Sequence, residues 1–328
     1  VAANLNEAVH EGLVLAQPNA YVFLHDRVQQ AAYGLIPAEA KQQAHLTLGR
    51  LLWRRGEREA AEAPGAVEEK LFDLAHHLNL GSELMTDSAE RLALAQLDLR
   101  AGRKAKSATA YAAALDYLRA GLTLLDETHW RSDYELSFAL HLEAAECWRL
   151  CSRFEEAEAA FNALLPRAQS KLDQARVFNL RIMQSENLSR YDQALSLGRE
   201  CLELFDVKFP DSEAEQLALL ESEIARIETL RQGRPIAALS QLPVMGDAGM
   251  RMVMNLLTTL WSPAYIAGEA ALTRLFSATM VRLSLEHGNA AESAYGYATH
   301  TITLGPVLKD YEAAYEFGRL ALQVNEQF

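Results

Sequence analysis

The chain has 328 residues, half of them apolar, with a mean hydropathy of −0.09. That is core enough for two domains or one extended array, and it excludes disorder. Acidic residues number 44 against 31 basic, and the net charge of −13 argues against general binding to phosphate backbones. Only 17 Gly and 9 Pro punctuate the chain. Ala, Leu, Glu, Arg and Gln, which lose little on entering a helix, fill much of the rest. No apolar run approaches the roughly 20 residues of a membrane-spanning helix.

In chain order, Ala3 to His10 reads as a short helix stopped at Gly12 in the left-handed conformation. Leu13-Val14-Leu15 and Tyr21-Val22-Phe23-Leu24 are β-forming runs around Ala16-Gln17-Pro18-Asn19-Ala20, the pattern of a hairpin with a five-residue turn region. Helix then hairpin is the end of a winged-helix unit, assigned to residues 1–36; strands are expected nowhere else. Asp26 is placed to cap a helix reaching Gly34. Pro37 opens the next, with the stripe Ala40, Ala44, Leu48, Leu51 and Leu52, stopped by Gly56 before a polar loop to Gly65.

Residues 37–328 form the helical part. Helices are expected over 67–80, 88–101, 104–125, 131–151, 154–168, 171–187, 191–205, 212–232, 234–241, 247–261, 269–287, 289–304 and 311–326. Single Gly, Pro or Asp residues separate them, and such short connections force neighbours to pack antiparallel.

Four of these helices open with an aromatic residue, two variable residues and alanine: Tyr111…Ala114, Phe154…Ala157, Tyr191…Ala194 and Tyr311…Ala314. The alanines lie 43, 37 and 120 residues apart, the last close to three units of about forty. Four past the alanine stand Leu118, Phe161, Gly198 and Gly318; seven past it stand Gly121, Leu164, Cys201 and Ala321. Small residues at fixed positions admit close helix approach, and each aromatic, with Phe161, is expected to fill the space beside it. This resembles the second helix of a tetratricopeptide repeat (TPR). The expected fold is all-α, a degenerate TPR-like α-solenoid of antiparallel helix pairs with a small N-terminal winged-helix remnant.

Catalytic patterns are absent from the sequence. It holds no Gly-x-x-x-x-Gly-Lys-Ser/Thr phosphate loop, no Gly-x-Ser-x-Gly elbow, no kinase catalytic loop and no His-Glu-x-x-His. His141, Glu143, Cys147 and Cys151 share a helix, but only Cys147 and Cys151 align on one face, so no metal is expected. Asp73 and His76, with His77 beside them, make one carboxylate–imidazole pair, read as a capped or packed histidine. Three cysteines, Cys147, Cys151 and Cys201, cannot build a disulfide framework and fit a reduced, cytoplasmic compartment. The opening Val1-Ala-Ala-Asn has neither the basic start nor the apolar stretch of a signal peptide, and the absence of Met reads as a piece of a longer polypeptide. Arg50, Arg54, Arg55 and Arg58 form a basic cluster that could dock a partner, as could Arg100, Arg103, Lys104 and Lys106, although both also read as solvated surface. The Met-rich stretch Leu242–Met254 interrupts the repeat and reads as filler of an irregular core.

The segment Tyr21-Val-Phe-Leu-His-Asp-Arg-Val-Gln-Gln-Ala-Ala-Tyr33 resembles the stretch that closes the nucleotide-binding module of STAND-type (AAA-like) signalling ATPases. These occur inside large bacterial multidomain serine/threonine kinase–sensor histidine kinases. The likeness continues through His45–Leu52, Phe72–Asn79, Leu99–Lys106, Arg190–Ala194, Leu285–Asn289 and Gly305–Tyr311.

The resemblance implies an upstream kinase and ATPase, the latter holding ATP or ADP and Mg, with sensory and histidine-kinase domains downstream. Leu24-His25-Asp26 has the form of the Met-His-Asp motif that contacts nucleotide phosphate in related switch ATPases, with Leu in place of Met. His25 and Asp26 are therefore nucleotide-switch residues by resemblance; packing at the strand–helix junction is their structural alternative. The expected role is a non-catalytic sensing or interaction module that couples a partner to the ATPase switch, the alternative being a purely structural spacer. Its partners would be a protein, the parent's own ATPase or kinase domains, or a small ligand in a groove, not nucleic acid or membrane. No catalytic residue, cofactor or metal is assigned to this segment.

Overall fold

A computed structural model describes residues 2–17, 20–62 and 70–328. The fold is all-α and helical-repeat in kind, with one small antiparallel hairpin. The chain divides into two compact units, Val1–Ala144 and Ala145–Phe328, so the boundary expected after residue 36 falls inside the first.

In the first unit, α1 (Ala2–His10) leads to β1 (Val14–Gln17) and β2 (Ala20–Phe23). Val14 pairs with Phe23 and Gln17 with Ala20, so the strands run closer to the turn than the five-residue connection expected; Pro18 and Asn19 lie outside the described residues. Helices α2 (Asp26–Gly34), α3 (Ala38–Glu62), α4 (Leu71–Leu80), α5 (Ser88–Ser107), α6 (Tyr111–Thr123), the short α7 (His129–Ser132) and α8 (Tyr134–Leu150) follow. The unit division falls within α8.

Two glycines read as breakers are not. α3 runs through Gly56 to Glu62, because strong helix formers flank it and one interior glycine costs only about 1 kcal/mol. The rest of the expected loop, residues 63–69, lies outside the described residues. Gly102 sits inside α5, where a methyl would come within 2.6 Å of Leu118 in α6. Its smallness serves packing, and the break comes at 108–110. A methyl at Gly121 would lie 3.1 Å from Asp98 Cβ, so the residue pairs 102/118 and 98/121 run in opposite senses: α5 and α6 are antiparallel.

The second unit contains α9 (Phe154–Leu164), α10 (Lys171–Asn187), α11 (Tyr191–Glu203), α12 (Glu213–Arg231), α13 (Ala248–Ile266), α14 (Ala270–His287), α15 (Ala291–Ile302) and α16 (Tyr311–Asn325). Hydrogen bonds from Ser277 to Thr299 and between Ser284 and Ser293 fix α14 and α15 antiparallel. Trp261 to Ser277, with Thr258 beside Met280, does the same for α13 and α14. Ion pairs Arg282–Glu223 and Arg226–Glu286 set α12 parallel to α14. α14 is therefore gripped by α12, α13 and α15 and buried nearly all round, as its apolar and small residues on every face require. Leu272, Phe276 and Met280 join one core cluster, while Leu275, Val281 and Leu285 join another. Met245 and Met254, from the Met-rich stretch, are fully buried in the first of these clusters. Among the described residues the one β pairing outside the hairpin is an isolated bridge from Val244 to Asn289.

A recurring turn organises the helix pairs. Thr109, Ser152, Ser189, Gly268 and Lys309 are all left-handed, with φ between 57° and 82°. Each stands two residues before a helix start, at Tyr111, Phe154, Tyr191, Ala270 and Tyr311. The next residue donates its N–H five residues back in four of them: Ala110 to Ala105 O, Arg153 to Trp148 O, Arg190 to Ser185 O and Glu269 to Ala264 O. That is the Schellman closure of a helix C-terminus. At Asp310 the bond reaches Leu304, one residue further, because a π-helical turn (Thr303–Val307) intervenes. The Gly268 turn adds a repeat start that the aromatic-to-alanine spacing did not reveal.

The packing residues divide. Ala114, Ala157, Phe161 and Ala194 are completely buried; Tyr111, Phe154, Tyr191 and Ala314 are half-buried. Tyr311 corrects the expectation: its side chain is 65% exposed, on the side of α16 opposite the buried Phe317, Leu320 and Val324.

Candidate functional site

The second unit holds a cleft of about 520 Å³, with a lining of mixed polarity, where α9, the end of α10 and the start of α11 meet. The left-handed turn at Ser189 brings Gln193 back alongside Gln184 and Ser185, while the turn at Ser152 presents α9 across from them. Glu155, Glu158 and Asn162 recur at helical spacing and so line one side.

Gln184 anchors the floor. Its side chain is buried, and its Nε2 donates to Phe154 O and to Glu158 Oε2, each at 3.3 Å. Glu158 Oε1 accepts from Arg181 at 2.6 Å. Gln184 Oε1 has no hydrogen-bond partner among the described residues. A buried acceptor left unmet costs about 1–3 kcal/mol. Asn162, Gln193 and Arg190 stand exposed along the cleft and supply further donors and acceptors. This lining can pair the N–H and C=O of an extended peptide backbone. It holds no nucleophile–base pair. Asn162 and Gln184 have no spacing signature in the sequence, where Phe154 stands out only for packing and Arg190 and Gln193 only within the stretch of resemblance.

The first unit contains a histidine cluster. Tyr33 Oη lies 2.8 Å from His45 Nε2, and His45 Nδ1 lies 2.7 Å from His77 Nδ1, linking α2, α3 and α4. His76 lies edge-on to both rings. Burial and the neighbouring imidazoles push the His45 and His77 pKa values below the ordinary one, Asp73 opposing weakly at His77. The Asp73/His76/His77 pairing seen in sequence thus gains its partner, His45, from α3.

The other expected site residues are placed as follows. His25 is the N-cap residue of α2, extended and exposed, and makes no side-chain cap hydrogen bond. Asp26 does not cap the helix; it lies in the first turn, where a carboxylate complements the helix dipole. Arg50 is not available as expected, because both arms of its fork are held by Glu90 at 2.7 Å. Arg54, Arg55 and Arg58 are exposed, and Arg50, Trp53 and Arg54 line a smaller cleft of about 350 Å³. Glu143 is held by Arg103 and Lys106, and His141 Nδ1 lies 2.7 Å from Ser137 O.

No family model matches the chain. It is 24% identical over 349 aligned positions to hybrid signal transduction histidine kinase G of Dictyostelium discoideum, an alignment covering 94% of this chain and 10% of that protein. Among solved structures, BtubC (BKLC) from P. vanneervenii aligns with a TM-score of 0.45 and 13% identity, over 87% of this chain and 91% of that one. Among the described residues no helix is long and apolar enough to cross a membrane. The chain is thus distantly similar to a short stretch, about a tenth, of a signal-transduction protein.

Proposed function

We propose that this chain is a non-catalytic, TPR-like interaction module of a cytoplasmic signalling protein. It binds a peptide segment of a partner in the α9–α10–α11 cleft and passes that state to an adjoining ATPase switch. The observation that carries the reading is the cleft itself, in which Asn162, Gln193 and Arg190 stand exposed around the buried Gln184 amide. The recurring left-handed turns, spaced by 43, 37, 79 and 41 residues, support the TPR-like description. His25 and Asp26, exposed where the hairpin enters α2, are the residues that would face nucleotide in that switch. ATP and Mg belong to the adjoining ATPase in this reading, and the kinase activities to other parts of the longer protein.

The non-catalytic half is tested by calorimetric titration of the 328-residue chain with Mg·ATP. The reading predicts neither binding heat nor phosphate release. Micromolar binding with turnover would contradict it.

A further inference from the structure

α11 and α16 carry the same stripe of residues. Counted from the opening aromatic, it is Tyr191, Leu195, Gly198 and Leu202 on α11, and Tyr311, Tyr315, Gly318 and Leu322 on α16. Steps of four, three and four put all four residues on one face of a helix.

On α11 that face is covered. Leu195 and Leu202 are buried, and Leu260 of α13 sits over Gly198 so closely that a methyl there would lie 2.3 Å from Leu260 Cδ2. The glycine is a notch and the leucine its knob. On α16 the same face is open. Tyr315 and Leu322 are each 69% exposed, and a methyl on Gly318 would meet nothing within 4 Å among the described residues.

We propose that this face of α16 seats an amphipathic α-helix of the α13 kind, with a leucine in the Gly318 notch. Tyr311, Tyr315 and Leu322 would take its apolar turns on either side, as Tyr191, Leu195 and Leu202 line the covered stripe on α11. Glu312 and Glu316, exposed on α16, outnumber Arg319 there and call for basic residues flanking the incoming helix's apolar face. A second copy of α16 fits less well. An antiparallel two-fold through the notch sets Arg319 beside its own copy, and like charges at that spacing repel.

The probe is a synthetic peptide with the α13 sequence, residues 248–266, with lysines added at its ends for solubility. Amide shifts of the labelled full chain should report saturable, micromolar binding confined to 311–322. Gly318→Leu, which fills the notch, should weaken binding by about tenfold or more, as should Leu260→Lys in the peptide. The peptide change leaves the folded chain untouched and so keeps the test independent of any folding defect. Absence of saturable binding, binding indifferent to both changes, or a Gly318-dependent dimer of the chain alone would overturn the proposal.

Discussion

Asn79 Nδ2 donates to Asp98 Oδ1 at 2.7 Å, while Asp98 Oδ2, completely buried, has no hydrogen-bond partner among the described residues. Burial raises the Asp98 pKa to about 8, against a smaller lowering by the Asn79 hydrogen bond. The folded chain therefore keeps a proton that the unfolded chain releases above its ordinary 3.8. Stability from this group is full below that value and is lost as pH rises through about 8. Asp98→Asn should flatten the difference. Urea midpoints at acidic, neutral and alkaline pH should converge on the variant's only at the acidic end; parallel pH profiles would contradict this.

The histidine cluster has the opposite sign. His45 and His77 have lowered folded pKa values, so their stabilising contribution is present above the ordinary 6.5 and is lost as pH falls below it. Amide exchange in α3 and α4 should accelerate on acidification, and His77→Asn should blunt that response. Equal acceleration in wild type and variant would place the acid sensitivity elsewhere.

The left-handed turns give a stabilising substitution. Thr109, at φ 60°, is β-branched in a conformation where L-residues are strained by about 1–2 kcal/mol. Thr109→Gly and Ser189→Gly should each raise stability by about 0.5–1 kcal/mol, read as an upward shift in Tm, because glycine takes this conformation freely. A fall in Tm at both positions would contradict the turn geometry.

Helix existence was legible in the sequence, since periodicity and composition agree over nearly every element. The connections were less so. Four of the five recurrent turns use Thr, Ser, Ser and Lys where glycine is the usual signal, whereas Gly102 and Gly56, which do look like signals, lie inside helices. The repeat alanines were readable because a buried small residue at fixed spacing repeats along one chain. Tyr311 misled for the same reason: it has the right register, but no helix covers its face of α16 among the described residues. The cleft was not readable at all, because Asn162, Gln184 and Gln193 come together only through the turn at Ser189 and the packing of three helices.

Burial separates the packing residues. Phe161→Ala should cost about 3–5 kcal/mol, since the ring is completely buried. Tyr311→Ala, with its ring 65% exposed, should stay within about 0.5 kcal/mol. Denaturant midpoints decide it, and comparable losses at the two sites would contradict the placement of α16.

In the proposed reading the chain works inside a longer signalling protein, and the most direct measurement of its interaction role is that protein's phosphoryl-transfer output. Asn162→Ala combined with Gln193→Ala removes two exposed amides from the cleft, so the fold and Tm should be unchanged. If the cleft receives a partner that drives the switch, output should change by about tenfold or more, because two ligand hydrogen bonds of about 1 kcal/mol each are lost together. Output identical to wild type, with the chain folded, would contradict a binding role and leave the segment a spacer.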